Sequence, residues 1–463
     1  MTKLPVPEKW DHMTDVLIIG GGTAGLPAGI AVKEAGFRAT VLELTGSCGG
    51  SGKMIGVGGA FAGTKFQKKM GIEDSPDLLY KDGVEIAGGS PELWRVFADN
   101  QVDTCHWLES MGCPPESGLV LNTRGHRTQR LHRHIGPKVM SAITKQAREK
   151  SVEILFKHRA ERLIWSEDAG RVLGARVFTK DNEAIHIGAE KAVILTTGGF
   201  GRNKDMLREY GQRYVDCPPI MHVGCRGDGL KMGLDLGAAT SGIGEAVMAS
   251  FPICTTKKKN AIFMMGVGAV AVNVFGKRFC DESCPRGDYG ELGDAGLDQP
   301  NGIYWLVYDS RARSAAKENT EVDKFHELKS DTFMELARMA GIDPDGFVET
   351  MQQYNCDLKN QGIDRVFGRK TLTHPHGKPP VLDAPPYYAI KCITALSSMR
   401  GGLKVNPSGQ VLDNYGDIIP GLYAAGEVTG GLFGRGIYLG GVLWPASMTF
   451  GRLAGQHAVE PNN

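Results

Sequence analysis

Several features that would narrow the function of a protein are missing from this 463-residue sequence. Its 53 lysines and arginines are balanced by 52 aspartates and glutamates, so no excess of one charge indicates binding to nucleic acid or a membrane surface. No apolar run reaches the roughly 18 residues that a membrane-spanning helix needs. Residues 1–13 are polar and lack the apolar core of a signal peptide. The sequence therefore predicts a cytoplasmic protein with no nucleic-acid or membrane partner.

The ten cysteines form no pattern typical of a metal or haem site. Cys280 and Cys284 are four residues apart, but no second pair follows them, so a zinc or iron–sulfur site is not predicted. The C-x-x-C-H sequence that attaches c-type haem is also absent. We therefore expect buried thiols rather than a disulfide framework, and no metal.

Glycine, in contrast, is abundant, with 63 of the 463 residues, about twice its usual share. Glycine lets the main chain approach another atom with no side chain in between. The excess is therefore the first indication of a protein wrapped closely around a cofactor.

The clearest stretch is DVLIIGGGTAGLPAGIAVKEAGFRATVLEL, near the N-terminus. The apolar run 16–19 predicts a buried parallel strand, 24–35 a helix, and 39–44 a second strand. This order of strand, helix and strand is typical of a dinucleotide-binding fold.

Gly20, Gly22 and Gly25 lie between that strand and helix with G-x-G-x-x-G spacing, and Glu43 follows in the second strand. The glycines let backbone approach a pyrophosphate at the helix N-terminus, and the acid accepts hydrogen bonds from a ribose. Strand, glycines, helix, strand and acid in this order predict binding of an adenine dinucleotide.

The rest of the chain divides into a continuation of this fold and an insertion. Residues 152–197 change to an apolar period of two, which predicts an antiparallel meander that returns to the main sheet. Helices are predicted at 90–110, with Ser90 as N-cap, and at 137–149.

Residues 244–399 lose the alternation of strands and helices and contain polar helices at 323–340 and 343–360. From residue 400 the first fold resumes with a hairpin and a strand. We therefore predict a cofactor domain formed by 1–243 and 400–463, with 244–399 as an inserted capping domain.

These motifs, in this order, resemble the fumarate reductase/succinate dehydrogenase flavoprotein family, which also includes urocanate reductases and 3-ketosteroid dehydrogenases. The matching pieces span nearly the full length: GGGTAG, GGSG, TTGGF, GDGLKMG, GKRFCDES, MRGGLKVN, GLYAAGEVTGG and MTFGRLAG. The resemblance implies an α/β fold, with a Rossmann-like FAD-binding domain of the glutathione reductase type and an inserted α+β cap. It also implies hydride transfer between the flavin and a substrate carbon.

The resemblance assigns further residues to the cofactor. The histidine that links FAD covalently in respiratory members has no counterpart in SGKMIGVGG, so we expect non-covalent FAD and no iron–sulfur or membrane partner. The additional cofactor residues are Gly50, Ser51, Gly52, Gly198, Gly199, Asp228, Glu427 and Gly440.

Two positions carry most of the expected chemistry. Arg286 falls where fumarate reductases have a proton-donating arginine and ketosteroid dehydrogenases a proton-removing tyrosine. Tyr438 falls where fumarate reductases have a carboxylate-binding arginine. In ketosteroid dehydrogenases, a tyrosine near this position and a glycine N–H bind the ketone, and the corresponding glycine in this sequence is Gly441. An exposed loop arginine and a core tyrosine are the alternatives. Because the pKa of arginine exceeds about 12, Arg286 must relay a proton or bind an anion, and Tyr289 is a second candidate base.

Other positions depart from the fumarate-binding pattern. Ser398 stands where that pattern has a carboxylate-binding histidine, and Ile262 and Met265 stand where a glutamate and an arginine relay protons. These losses argue against a dicarboxylate substrate. The predicted substrate-binding residues are Arg435, Ser398, Arg400 and Gly440, of which the two arginines can bind a single carboxylate.

The segment RGHRTQRLHRHIGPKV is strongly basic. We weigh a lining of the pocket against a solvated loop, with metal binding by its H-x-H pair as the weakest interpretation. Its basic side chains include Arg127, Arg130, His132, Arg133 and His134.

The preferred function from sequence is FAD-dependent desaturation of a small, cyclic ketone with or without a carboxylate. The α-proton leaves to a base, and the β-hydride passes to flavin N5. The second hypothesis is an enoate reductase with Arg286 as proton donor, and the third is an electron-transfer flavoprotein or sensor without substrate chemistry. A monomer or homodimer with an external electron acceptor is expected in each case.

Overall fold

The structure, a computed structural model, describes most of the chain and divides it into two compact units. The described residues are 4–54, 58–116, 118, 120–121, 125–243, 247–248, 251–254, 263–284, 290–317, 326–372 and 377–460. Unit 1 comprises Met1–Val215, Met221–Val247 and Ser398–Asn463, and unit 2 comprises Asp216–Ile220 and Met248–Ser397.

The helices of the described residues follow in chain order. They are α1 Gly25–Glu34, α2 Lys65–Lys69, α3 Pro76–Glu85, α4 Pro91–Ser110, α5 Gly136–Glu149, α6 Lys204–Tyr210, α7 Asp228–Asp235, α8 Phe263–Gly266, α9 Gly290–Leu297, α10 Ser310–Lys317, α11 Phe333–Ala340, α12 Pro344–Gln361 and α13 Leu443–His457. None of the helices in the described part of the chain has the length and apolar character to cross a membrane.

The strands are as follows. They are β1 His12–Ile19, β2 Ala39–Glu43, β3 Gly59–Ala60, β4 Val120–Leu121, β5 Leu131–His132, β6 Glu153–Phe156, β7 Arg159–Ser166, β8 Arg171–Phe178, β9 Ala184–Leu195, β10 Thr240–Ser241, β11 Val247–Met248, β12 Phe251–Cys254, β13 Val270–Val272, β14 Ile303–Tyr308, β15 Leu328–Ser330, β16 Tyr387–Ala395, β17 Ser398–Met399, β18 Gly402–Leu403, β19 Gln410–Leu412 and β20 Ile418–Ala424.

Unit 1 is built on a mixed sheet with the order β19-β20-β9-β1-β2-β6, to which β7 and β8 add beside β9. β1 pairs in parallel with β2 and β9, and its residues 16–19 are buried because strands and helices cover the sheet there. β20, from the C-terminal part of the chain, pairs in parallel with β9. The predicted strand–helix–strand unit is confirmed, and so is the antiparallel pairing of β7, β8 and β9. The first strand of the predicted meander, β6, instead pairs in parallel with β2.

One face of this sheet is covered by α1, which also contacts α13. A Cβ at Gly451 would lie 2.2 Å from the carbonyl oxygen of Ala24, and one at Gly455 would lie 2.4 Å from that of Ala28. The two helices therefore approach so closely that only glycine fits on α13.

Unit 2 contains a sheet with the order β12-β16-β14-β13, and β15 pairs with β16. Residues of β14 alternate between two apolar clusters: Tyr304, Leu306 and Tyr308 face one, and Trp305 and Val307 face the other. This alternation is typical of a strand with helices or loops packed on both faces.

Helix predictions were accurate at α4, α5 and α12, whereas the helix predicted at 323–340 was too long at its N-terminal end. α4 begins after the N-cap Ser90, as predicted. The helix predicted at 323–340 begins only at Phe333, because Leu328–Ser330 pairs with β16 and Thr332 caps the helix by accepting from the Glu335 N–H. Residues 323–325 lie outside the described residues.

Candidate functional site

The three glycines after β1 differ in what a side chain would meet. Gly20 has φ +114°, and a Cβ there would lie 2.4 Å from the Thr196 carbonyl oxygen. At Gly25 a Cβ would lie 1.8 Å from the Gly20 carbonyl oxygen. At Gly22 it would meet no described atom within 4 Å. Packing explains Gly20 and Gly25, whereas Gly22 is open to a ligand, as expected where backbone approaches a pyrophosphate.

Glu43 ends β2 and is 5% exposed. Its carboxylate accepts hydrogen bonds from the Gly21 N–H at 3.1 Å and from the N–H and hydroxyl of Thr45, both at 2.8 Å. These bonds fix the carboxylate beside the glycine motif, where it is in position to accept from a ribose hydroxyl.

Residues Gly50–Met54 form a short 3-10 helix after β2. Ser51 Oγ accepts from the His222 N–H at 3.2 Å. A Cβ at Gly52 would lie 2.5 Å from Thr23 Cγ2, so this glycine is required by protein packing. Gly50 has φ +47° and its Cβ would lie 3.8 Å from Gly22 Cα, so it adjoins the open space of the glycine motif.

Glu427 follows β20 and lies beside the predicted glycine pair, which follows the neighbouring strand β9. A Cβ at Gly199 would lie 2.8 Å from Glu427 Oε1, and Gly198 has φ +76°. Glu427 Oε1 accepts from the Met399 N–H at 2.7 Å. Its side chain is partly accessible, but the carboxyl is surrounded by protein, and this desolvation raises its pKa to about 7. Asp228, at the start of α7, forms an ion pair with Arg226, in which Asp228 Oδ2 lies 3.7 Å from Arg226 Nε.

Two glycines in the run 433–441 are explained by packing against neighbouring backbone rather than by close approach to a cofactor. A Cβ at Gly434 would lie 1.9 Å from the Gly88 carbonyl oxygen, and one at Gly436 would lie 2.1 Å from that of Ile86. Backbone of the segment before α4 therefore requires these two glycines, and no ligand is needed to account for them.

Tyr438 is half-buried, and its ring centroid lies 5.0 Å from that of Phe433. The Arg400 guanidinium carbon lies 5.8 Å from the Tyr438 ring centroid, and its Nη1 donates to the Gly436 carbonyl oxygen at 2.9 Å. Arg435 is exposed. The structure thus brings Arg400 to Tyr438, as a cation beside a phenol.

Arg400 lines a cavity in unit 1. Ser398, in β17, is buried, whereas the next two residues line the cavity. The residues that line the cavity include Met399, Arg400, Glu427, Phe433 and Leu443. The cavity therefore connects Arg400 with Glu427 and with the N-terminal end of α13.

Gly440 and Gly441 precede α13, and a residue that the sequence analysis did not select holds them. His126 Nε2 lies 2.9 Å from the Gly440 carbonyl oxygen, and its Nδ1 lies 3.1 Å from Arg130 Nη1. The Gly441 carbonyl oxygen accepts from the Ala60 N–H at 2.8 Å, and Gly441 has φ +77°. His126 belongs to the basic segment, in the sequence GHR, but the sequence analysis named only other side chains of that segment.

The interpretation of that segment as a solvated loop is wrong at three positions. Arg130 and His132 are fully buried, and His134 is 2% exposed. Arg130 forms ion pairs with two buried carboxylates, Asp74 and Asp82. Arg127 and Arg133 are exposed, and no group of potential metal ligands occurs among the described residues.

Arg286, Tyr289 and Ile262 lie outside the described residues, so their predicted roles stay predictions. Met265 is buried in an apolar cluster of unit 2.

The segment before Arg286 is fixed by a buried ion network. Arg278 Nε donates to Glu282 at 2.8 Å, and Arg369 Nη1 lies 3.2 Å from the same carboxylate. Burial raises the pKa of Glu282, but the two arginines bring it below its usual value. The GKRFCDES motif therefore has a structural role in unit 2 through Arg278 and Glu282.

The residues of unit 1 fit the adenosine diphosphate part of FAD. The open face of Gly22, the start of α1 and the fixed carboxylate of Glu43 are the parts that bind a pyrophosphate and a ribose. Glu427, Gly198 and the start of α13 lie further along the same sheet edge. These residues would hold the flavin half.

Comparisons with known proteins were made with the whole chain. A family model described as FAD binding domain matches residues 15–442. The chain is 33% identical to a probable fumarate reductase of Shewanella frigidimarina, over 96% of this chain and 75% of that protein.

Among solved structures, the open conformation of a flavocytochrome c3 fumarate reductase superposes with a TM-score of 0.84 at 30% identity, covering 97% of this chain and 79% of that one. A 3-ketosteroid dehydrogenase of Rhodococcus jostii RHA1 superposes with a TM-score of 0.81 at 22% identity, covering 99% and 100%. The second likeness concerns the fold alone.

Proposed function

Because the chain belongs to the family whose model is described as FAD binding domain, we propose that it reduces a carbon–carbon double bond conjugated to a single carboxylate. Family membership itself makes the chain an FAD-dependent oxidoreductase acting on CH–CH bonds, like the fumarate reductase that it matches over 96% of its length. The proposal adds the substrate class and the direction.

The observation that carries the proposal is the position of Arg400 beside Tyr438. The guanidinium carbon of Arg400 lies 5.8 Å from the Tyr438 ring centroid, and Arg400 is one of the residues that line the cavity of unit 1. A guanidinium and a phenol together suit one carboxylate, since the guanidinium balances its charge and the hydroxyl donates to one oxygen. The loss of the fumarate-type histidine at Ser398 supports a monocarboxylate over a dicarboxylate.

FAD, when bound, supplies the hydride that adds to the β-carbon of the double bond. Addition there moves negative charge onto the carboxylate oxygens. The Tyr438 hydroxyl and the Gly441 N–H would donate to the oxygen on which this charge develops, and Arg400 would stabilise it electrostatically. Arg286 remains our prediction for the proton donor at the α-carbon.

Ketone desaturation, the hypothesis preferred from sequence, is the second candidate. It is favoured by the phenol of Tyr438, half-buried against Phe433, because a neutral donor suits a ketone that becomes an enolate. The two candidates use the same oxygen-binding groups and differ in the direction of hydride transfer.

Anaerobic flavin titrations separate these candidates. Photoreduced protein is mixed with acrylate, cinnamate, fumarate and cyclohexenone, and oxidised protein is mixed with cyclohexanone and a 2-oxocyclohexanecarboxylate. We expect the monocarboxylate enoates to reoxidise the flavin fastest. Reduction by the saturated ketones without reaction of the enoates would favour desaturation, and failure of both classes would leave the electron-transfer or sensor hypothesis.

Substitutions then test the residues. We expect Tyr438→Phe to lower turnover roughly 100-fold with little change in KM, because it removes one oxyanion donor.

Arg400→Gln should mainly raise KM. If Arg435→Gln raises KM instead, the carboxylate is bound at Arg435.

Arg286→Lys should lower turnover at least about 100-fold with FAD still bound, since it alters proton transfer.

A further inference from the structure

We propose that His126 is a positioning residue that orients the peptide between Gly440 and Gly441 so that the Gly441 N–H faces the substrate oxygen. The inference rests on the proposed function, in which that N–H is an oxyanion donor. The contacts of His126 that support it lie within unit 1.

The peptide between two glycines is easily turned over. In a trans peptide the carbonyl and the N–H point in opposite directions, so the carbonyl of Gly440 and the N–H of Gly441 reverse together. With no Cβ on either side, steric repulsion does not oppose this reversal. A preorganised oxyanion donor at this position therefore needs a partner that fixes the peptide.

His126 supplies that partner on the carbonyl side. Its Nε2 lies 2.9 Å from the Gly440 carbonyl oxygen, which can only accept a hydrogen bond. The Ala60 N–H holds the next carbonyl, that of Gly441, at 2.8 Å. The structure assigns the Gly441 N–H no acceptor among the described residues, as expected for a donor directed at a ligand.

The tautomer of His126 follows from its two neighbours. Arg130 Nη1 lies 3.1 Å from Nδ1, and a guanidinium can only donate. Nδ1 must therefore accept, which leaves the proton on Nε2 to be donated to Gly440. Arg130 is itself fully buried and held by Asp74 and Asp82. The tautomer of the imidazole is therefore fixed by Arg130, which is held in turn by Asp74 and Asp82.

This arrangement keeps His126 neutral. Burial, and next the charge of Arg130, lower the pKa of His126 to about 3. Asp74 and Asp82 face Arg130 and balance its charge. The donor on Nε2 therefore persists throughout the pH range of ordinary assays.

His126→Phe and His126→Gln test the proposal in the FAD-loaded protein. Phenylalanine keeps an aromatic ring but has no donor, whereas the glutamine amide can donate close to the position of Nε2. We expect His126→Phe to lower kcat about 10- to 100-fold with KM changed less than about 3-fold. His126→Gln should recover kcat to within about 5-fold of the wild type. His106→Phe, at an exposed histidine of α4, is the matched control and should behave as wild type.

A crystal structure of FAD-loaded His126→Phe supplies a readout independent of turnover. We expect the 440–441 peptide to be reversed or present in two orientations, and to return to one in His126→Gln. If His126→Phe retains no FAD, His126→Met, which also lacks a donor, takes its place in both measurements.

The outcomes separate this proposal from the proposed function. Wild-type kcat and one unchanged peptide orientation in His126→Phe, while Tyr438→Phe is impaired, would overturn the role of His126 alone. A loss that His126→Gln does not recover would assign His126 to packing and also overturn it. If no enoate or ketone reacts with the wild type, the proposed function fails, and the peptide orientation still decides the role of His126.

Discussion

At the scale of single residues, Gly22 is the most direct probe of cofactor binding. A Cβ there meets no described atom within 4 Å, so a larger side chain fits the folded chain but enters the space of a pyrophosphate. We expect Gly22→Val to purify without FAD and with its FAD-free unfolding midpoint unchanged within about 2 °C. Absorbance at the flavin band and thermal unfolding measure the two effects.

Gly46→Val is the matched control for this substitution. Gly46 is exposed, and its Cβ would meet only Lys157 Cε, at 3.8 Å. This variant should retain FAD. Full flavin content in Gly22→Val would show that the pyrophosphate binds elsewhere.

Glu427 should make the stability of the FAD-free protein depend on pH. Its pKa is raised from 4.5 to about 7, so the folded chain binds more protons than the unfolded chain between these values. The stabilisation is complete below about pH 4.5 and is lost as the pH rises through 7. The stability lost over this range is roughly 3–4 kcal/mol at most, because each pKa unit corresponds to about 1.36 kcal/mol.

Glu427→Gln isolates this contribution. Glutamine stays neutral, so the fall in the free energy of unfolding between about pH 5 and 8 should be smaller than in the wild type by up to ~3 kcal/mol. Urea unfolding at the two pH values measures it. Parallel pH profiles of the two proteins would mean that the carboxyl titrates near its ordinary value.

Spacing along the chain is sufficient to propose some candidate site residues and not others. Gly20, Gly22, Gly25 and Glu43 belong to one local motif, and the structure gives each a physical reason. The contact between Arg400 and Tyr438 joins two distant segments, and no local pattern indicates which arginine approaches the phenol. The same holds for His126 and Gly440, more than 300 residues apart, since their contact depends on tertiary packing.

At the scale of elements, the close approach of α1 and α13 is the contact most sensitive to substitution. A methyl group at Gly455 would lie 2.4 Å from the Ala28 carbonyl oxygen, which is backbone and cannot move aside cheaply. We expect Gly455→Ala to lower the free energy of unfolding by about 1–3 kcal/mol and to weaken FAD retention. Urea unfolding and flavin content measure both.

Gly46→Ala is the reference for that measurement, because its methyl group makes only an ordinary contact in unit 1. It should differ from the wild type by less than about 0.5 kcal/mol. Equal stability of Gly455→Ala and Gly46→Ala would mean that α13 moves away from α1 at no cost.

The helices and strands of unit 1 were easier to predict than those of unit 2. β1, α1 and β2 follow a pattern in which apolar period, glycines and acid agree. The helix predicted at 323–340 begins only at Phe333 because Leu328–Ser330 gains an edge pairing with β16, which local propensity does not report. The glycine excess indicated close approach to a cofactor, but Gly434 and Gly436 approach neighbouring backbone, which sequence does not distinguish from a ligand.

At the scale of the whole molecule, the mode of FAD attachment is a testable property. The sequence has no histidine at the family's covalent position, so we expect FAD to co-purify in about equimolar amount and to leave the protein on acid precipitation. Absorbance of the supernatant and the washed pellet measures the partition. Flavin that stays with the denatured pellet would contradict the prediction.

The pairing of β20 with β9 has a consequence for synthesis on the ribosome. Residues Val193–Leu195 of β9 pair with Leu422–Ala424 of β20, and all of unit 2 is translated between the two strands. Until β20 emerges, this apolar part of β9 is an open sheet edge of the kind that pairs with other chains. Nascent chains that stop within unit 2 therefore expose a template for aggregation, and we expect them to be strong clients of ribosome-associated chaperones.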